Sequence, residues 1–445
     1  MKIVIIGASH GGIQAALTIK RVNPQVDVTM IEKRNDISYV SSGLTIKLNH
    51  LVEDLDEVRY TTAEDLEKKG ITVHLGATAT RIDSDAQTVV FEKQNEQQEV
   101  PYERLILAMG SNQFSLNMAL PDNGRITLYK SYDSSLEALH RLEDAKCISI
   151  IGGGYIGVEL SDALRDKGKE IHLIESAESL LFRYIDKELA KILEEEMLAS
   201  GIHLHLNENV LSFANEQEVP FSTVPSVKEI ENDYVVIAVN ARPDTALVQD
   251  FLDLNPNGTI RVNEYMQTSD PNVYALGDIV SYPVHTSHRH SFIPLVNNVV
   301  RSATVAAMSA LGKPLPYNTT QKTTATHVFG YYIASSGLTE TEANFEGIDV
   351  ESIFLKLPYQ LPYLREQEDV YIKLVFSKET NCLVGGQLMS KKDLTQIINI
   401  VSLGINKEVT WEELVTMDFY FNPILNQPMG VISQAAYEFM LRKSE

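Results

Sequence analysis

Met1-Lys-Ile-Val-Ile-Ile-Gly-Ala-Ser-His-Gly-Gly12 opens the chain, and the remaining elements fall into place around it. The run Ile3 to Ile6 is apolar and β-branched, the composition of a parallel strand buried on both faces. It stops at Gly7, and helical periodicity begins at Ile13-Gln-Ala-Ala-Leu17. The turn between them, Gly7 to Gly12, is built of small residues, with Ser9 at its middle glycine position. A turn of this kind lets the backbone approach a pyrophosphate, whose charge then meets the helix N-terminus. A second strand, Val28-Thr-Met-Ile31, ends in Glu32, about twenty residues further on, where a carboxylate accepts ribose hydroxyls. Gly7, Ser9, His10, Gly11, Gly12, Glu32 and Lys33 are therefore candidate nucleotide contacts.

The pattern then repeats in a cleaner form. Cys147-Ile-Ser-Ile-Ile151 leads into Gly152-Gly-Gly-Tyr-Ile-Gly157 and a helical stretch, Val158 to Leu164. A following strand, Ile171-His-Leu-Ile174, ends in Glu175. That carboxylate favours an unmodified ribose and repels a 2′-phosphate, and Ser176, Ala177 and Glu178 offer no arginine to offset it, so NADH is expected over NADPH. Gly152, Gly154, Tyr155, Ile156, Gly157 and Glu175 are the candidates here. Two further strands end in glycine: Arg104 to Met109 runs into Gly110, and Val273-Tyr-Ala-Leu runs into Gly277-Asp278. Asp278 could hold a sugar-alcohol chain, with Gly277 allowing close approach. From about Tyr317 the texture changes to strands such as Tyr371 to Phe376 with a helical stretch at Leu394 to Leu403, and no glycine fingerprint recurs.

Bulk properties narrow the classes. A length of 445 residues accommodates about three domains. A net charge of -22 disfavours nucleic acid or an anionic membrane as partner, and no apolar run approaches a membrane span. The apolar run at the N-terminus is too short for a signal peptide, so a cytoplasmic location is expected. Cys147 and Cys382 form no Cys-x-x-Cys, so neither a disulfide framework nor a zinc site is indicated. His285-Thr-Ser-His-Arg-His290 and Glu194-Glu-Glu196 read as a solvated loop and a solvated helix face, and no metal is expected.

Taken together, the two fingerprints, Ile37-Ser-Tyr-Val-Ser-Ser-Gly43, Tyr274-Ala-Leu-Gly-Asp278, Gly386-Gln-Leu-Met-Ser390 and Asp418-Phe-Tyr-Phe-Asn-Pro423 resemble the pyridine nucleotide-disulfide oxidoreductases, in particular the NADH oxidase and NADH peroxidase branch. The resemblance covers the chain end to end. It implies an α/β fold of two doubly wound Rossmann-like domains, for FAD and NADH, plus a C-terminal α+β dimerisation domain. The expected division is 1–112 and 242–318 for FAD, 113–241 for NADH and 319–445 for dimerisation. The resemblance further implies a homodimer, Tyr155 near the flavin face that receives hydride, and His10 beside the flavin and a redox cysteine.

That cysteine is where the chain departs. The family segment Ser-Phe-x-Ser-Cys-Gly has Ser42 at its cysteine position here. A hydroxyl is neither an appreciable anion near neutral pH nor able to cycle through a sulfenic acid. A cysteine relay is therefore not expected, whereas flavin chemistry needs no thiol. NADH oxidation with O2 as acceptor, giving hydrogen peroxide, is the leading expectation, with His10 and Ser42 at the reacting centre. The alternatives are a Cys-to-Ser variant of a water-forming oxidase, of a peroxide-reducing peroxidase or of a coenzyme A disulfide reductase, and a flavoprotein that regulates or reduces a protein partner. Asn240, where the family usually has glycine, is a smaller departure.

Overall fold

The computed structural model describes residues 1–113, 120, 124–128, 130–215, 221–226, 229–239, 241–365 and 367–444. Asn240 lies outside them.

The opening strand, Lys2–Ile6, sits at the centre of a five-stranded parallel sheet. Asp27–Ile31 and then Ile71–His74 flank it on one side; Arg104–Leu107 and then Val273–Ala275 flank it on the other. Central position explains the uninterrupted apolar run: Ile3, Val4, Ile5 and Ile6 are all buried. The helix His10–Val22 follows, burying Gly11, Gly12, Ile13, Ala15, Ala16 and Ile19. These small residues let it pack closely against a second helix, Val296–Ala310, whose buried positions are also mostly alanine and serine.

The second sheet repeats the first. Cys147–Ile151 is central, with Glu170–Glu175 and Ile202–Leu206 on one side and Tyr234–Ile237 and Ile126–Leu128 on the other, all parallel. In both sheets a three-stranded antiparallel meander intervenes between the third and fourth strands: Ala77–Asp83, Thr88–Lys93 and Glu96–Pro101 in the first, Val210–Asn215, Phe221–Pro225 and Ile230–Glu231 in the second. The copies differ in one respect. The fifth strand follows the others in sequence in the first sheet but precedes them in the second. Where the chain passes between the two, Ser111–Gln113 and Ala241–Pro243 pair as an antiparallel ribbon.

The remaining sheet is wholly antiparallel, in the order Thr324–Val328, Tyr331–Gly337, Leu383–Ser390, Asp369–Ser377, Val350–Pro358. Helices Ile398–Asn406, Trp411–Thr416 and Val431–Ser444 supply the rest of its core. Among the described residues no helix is long and apolar enough to cross a membrane.

Two readings of polar segments need correction. In the segment His285–His290, His288, Arg289 and His290 are exposed as expected, but the His285 side chain is only 18% exposed, with Nδ1 3.1 Å from Thr319 Oγ1 and Nε2 3.7 Å from Glu408. Glu194 is half-buried and accepts the Leu180 N–H at 3.0 Å, and desolvation raises its pKa. Both partners come from other elements, out of reach of a local reading.

Candidate dinucleotide and reaction site

The carboxyl ends of both parallel sheets open into one cleft of about 1300 Å3, which extends to Thr341 and Phe345 of the third domain. Each sheet presents the same device there. Gly7 (φ +106°) and Gly152 (φ +112°) turn the chain out of the central strand through backbone that disfavours other residues. A Cβ on Gly12 would strike the Gly7 carbonyl, and one on Gly157 the Gly152 carbonyl, so each helix seats against its own turn only because these residues are glycine.

The acidic residues match as closely. Glu32 accepts the N–H groups of Ala8 at 2.7 Å and Arg34 at 3.0 Å. Glu175 accepts those of Gly153 at 2.6 Å and Ala177 at 2.8 Å. Each carboxylate is thereby locked against its glycine turn; both Glu32 oxygens keep a further lone pair for a hydroxyl, while Glu175 Oε1 also accepts from Ser176 Oγ at 3.1 Å and leaves that capacity on Oε2. Lys33 lies nearby, paired with Asp244 at 3.7 Å.

Gly154 gives a direct test of whether this cradle fits a bound dinucleotide. Its φ of -77° suits any residue, and a Cβ built there meets no protein atom within 4 Å. Neither strain nor packing within the chain calls for glycine at this position. Close approach of a pyrophosphate to the helix N-terminus does. Ser9, its counterpart, is exposed at the start of the first helix and makes no side-chain capping bond. The residues present fit FAD at the first cradle and NADH at the second.

Gly110 and Gly277 both have positive φ and line the same cleft. Asp278 accepts from Ser111 Oγ at 2.8 Å and pairs with Lys130 at 3.3 Å, and Lys130 also bonds Ser111. The sequence reading missed Ser111 and Lys130; neither belongs to a recognisable motif. Tyr155 and Ile156 also line the cleft, with the Tyr155 ring centroid 4.5 Å from that of Tyr184.

His10, the first residue of its helix, also faces the cleft. Its Nδ1 lies 3.0 Å from Tyr60 Oη, the two rings stack at 5.4 Å, and its buried Nε2 has no protein partner. Desolvation lowers its pKa from 6.5, partly opposed by the Asp278 carboxylate. Tyr60 is the other residue missed, because it arrives from a segment carrying no motif. Ser42 caps the helix Gly43–Leu48, its carbonyl accepting from Ile46 N and Thr45 Oγ1, while the adjoining cleft wall is formed by Ser41. Neither Cys147 nor Cys382 lines the cleft.

Two linked nucleotide cradles sharing one cleft, with a separate antiparallel domain, define a two-dinucleotide oxidoreductase. The chain belongs to the pyridine nucleotide-disulphide oxidoreductase family, whose model matches residues 1–310, with its dimerisation domain matching 323–430. It is 34% identical to an NADH oxidase of Enterococcus faecalis over 99% of this chain and 100% of that one. It is 32% identical to an NADH oxidase of Lactococcus lactis over 98% and 99%. Among solved structures, the water-forming NADH oxidase from Lactobacillus brevis bound to NADH superposes with a TM-score of 0.96 at 28% identity, covering 100% of this chain and 99% of that one.

Proposed function

We propose that the protein is an FAD-dependent NADH oxidase that reduces O2 to hydrogen peroxide, with the domain limits given above, working as a cytoplasmic homodimer. The observation that carries the product assignment is that neither Cys147 nor Cys382 lines the cleft, which agrees with Ser42 at what the resemblance makes the redox-cysteine position. Bound FAD supplies hydride acceptance from NADH and two-electron delivery to oxygen.

The chain's own residues bind, orient and handle protons. Gly7, Ser9 and Gly11 would bring backbone to the FAD pyrophosphate, with Gly12 seating the helix behind them; Glu32 would take its ribose, and Asp278 with Gly110 and Gly277 its sugar-alcohol chain. Gly152, Gly154 and Gly157 would do the same for NADH, with Glu175 on its ribose and Tyr155 and Ile156 in the cleft wall. The exposed Tyr60 phenol, a group whose ordinary pKa is about 10, is protonated near neutral pH and available as a donor. With Tyr60 donating to Nδ1, the neutral His10 ring carries its hydrogen on Nε2, the atom without a protein partner, and can donate a hydrogen bond from it to a reduced oxygen species. The dimer reading draws support from the family's dimerisation domain and from the exposed Tyr420, Phe421, Ile424 and Leu425 on that domain.

The test is the peroxide yield per NADH consumed in air-saturated buffer, with FAD saturating. A yield near one peroxide per NADH supports the proposal. NADH consumption without peroxide would mean four-electron reduction to water and would overturn the reading of Ser42.

A further inference from the structure

The opposite end of the second sheet, away from the nucleotide cleft, gathers residues of another kind. Cys147 opens the central strand, Glu170 opens its neighbour and pairs with Cys147 across the ladder, and His172 lies two residues on, on the same face. His203 on the third strand pairs across the ladder with His172. Register alone brings a thiol, a carboxylate and two imidazoles from three parallel strands to one spot.

The donor atoms converge. One ligand atom each from Cys147, Glu170 and His172 lie within 4.8 Å of one another. His172 Nε2 is 3.1 Å from Glu170 Oε1, and His203 Nε2 is 3.9 Å from the same oxygen, with the two imidazole rings stacked at 4.7 Å. His172 is also oriented from behind: its Nδ1 lies 2.9 Å from His205 Nε2, the outer contact that fixes a ligating imidazole with its other nitrogen presented to a metal. The side chain of His172 is 6% exposed, whereas Glu170 and His203 are 57% and 53% exposed, so a rigid inner ligand meets two outer ones that solvent ions can reach.

We propose that Cys147, Glu170 and His172, with His203 as fourth donor, form a zinc site on the NADH-binding domain. The donor chemistry selects the ion. Sulfur, imidazole nitrogen and carboxylate together suit Zn2+, which takes four such ligands in a tetrahedron, and not the oxygen-only preference of Mg2+ or Ca2+. One thiolate and one carboxylate balance the two positive charges, the thiol proton leaving to water. Donor atoms around a tetrahedral zinc stand roughly 3.3–3.8 Å apart, so the three donors within 4.8 Å need only small rotamer adjustments, whereas the exposed His203, stacked on His172, must rotate its ring to reach the fourth position. The Cys147 thiol donates to the Glu231 carbonyl at 3.0 Å, the one contact it would exchange for the ion. Such an ion would clamp three strands at the end of the sheet remote from the nucleotide.

Cobalt(II), a spectroscopic stand-in for zinc, tests this on chelator-treated holoenzyme. Titration should produce a sulfur-to-cobalt charge-transfer band in the difference spectrum, saturating at one ion per chain and abolished by added zinc. The band should vanish in Cys147→Ser and persist in Cys382→Ser, and Glu170→Gln should weaken binding about tenfold or more. Bound flavin and NADH turnover should stay at wild-type levels in each, since none of these residues lines the cleft. Zinc should also slow alkylation of Cys147, measured by mass spectrometry in the unsubstituted protein, which keeps the proposal testable should a variant fold poorly. A band that survives in Cys147→Ser, no band at saturating cobalt, or alkylation indifferent to zinc would each overturn it.

Discussion

Ser42 and His10 carry the residue-scale consequences. Restoring sulfur with Ser42→Cys should cut the peroxide yield per NADH sharply, because a thiolate beside the flavin can accept a peroxide oxygen and be reduced again. An unchanged yield would show that position 42 does not govern the product. His10 has a depressed pKa, so its neutral form should persist below the ordinary imidazole value of 6.5. If neutral His10 is the hydrogen-bond donor to the reacting oxygen, kcat/KM should hold as pH falls through 6.5 and decline only at lower pH. The Tyr60 hydroxyl, donating to Nδ1, stabilises that neutral form. Tyr60→Phe should therefore move the acid limb upward; a limb that stays in place would remove Tyr60 from this hydrogen-bond chain. His10 was legible as a candidate from the first fingerprint. Tyr60 was not, because a lone tyrosine outside any motif has no sequence signal of its partner.

At the scale of elements, the two strand–turn–helix units share one geometry and differ in what their glycines do. Gly12 sits against the Gly7 carbonyl, so Gly12→Val should displace the helix and yield protein depleted of flavin. Gly154 has open space around its missing side chain, so Gly154→Ala should fold normally and keep its flavin, while KM for NADH rises about tenfold, on the order of 1.4 kcal/mol. Steady-state kinetics alongside the flavin absorbance ratio separate the two effects. Both turns were legible because a glycine requirement is local. The partner of Asp278 was not: Lys130 and Ser111 reach it from far along the chain. His285 and Glu194 were misread for the same reason, each finding its partner on another element.

Across the whole molecule, Lys373 ties the NADH-binding domain to the antiparallel domain. Its side chain is 1% exposed and lies 3.3 Å from Asp186, 2.9 Å from Glu188 and 2.9 Å from Glu340. Burial lowers the pKa of its ammonium, but Asp186, Glu340 and Glu188 outweigh that and raise it overall. Gln387 completes the junction, donating to Asp186 at 2.7 Å and accepting from its backbone N–H. Lys373→Met would leave three carboxylates facing one another. With Glu188 and Glu340 partly solvated, the expected loss is about 2–4 kcal/mol, read as a lower Tm in calorimetry. Because the folded pKa is raised, the wild-type contribution is complete at neutral pH and declines only as alkaline pH passes through that value. A Tm within error of wild type would show that the junction is not held by charge.

The sequence by itself determined the two strand–turn–helix cradles, the carboxylates at their next strand ends and the lack of a cysteine in the segment after Glu32. Each depends on residues adjacent in the chain: a β-branched run, a turn that needs glycine, a carboxylate at the next strand end. Tertiary structure decided which distant side chains meet. Parallel register placed Cys147, Glu170 and His172 together although no ligand spacing links them, and domain packing set Lys373 among three acids. Short-range steric demands on the backbone leave a mark in consecutive residues. Contacts between strands and between domains are set by how whole elements pack, and they leave none.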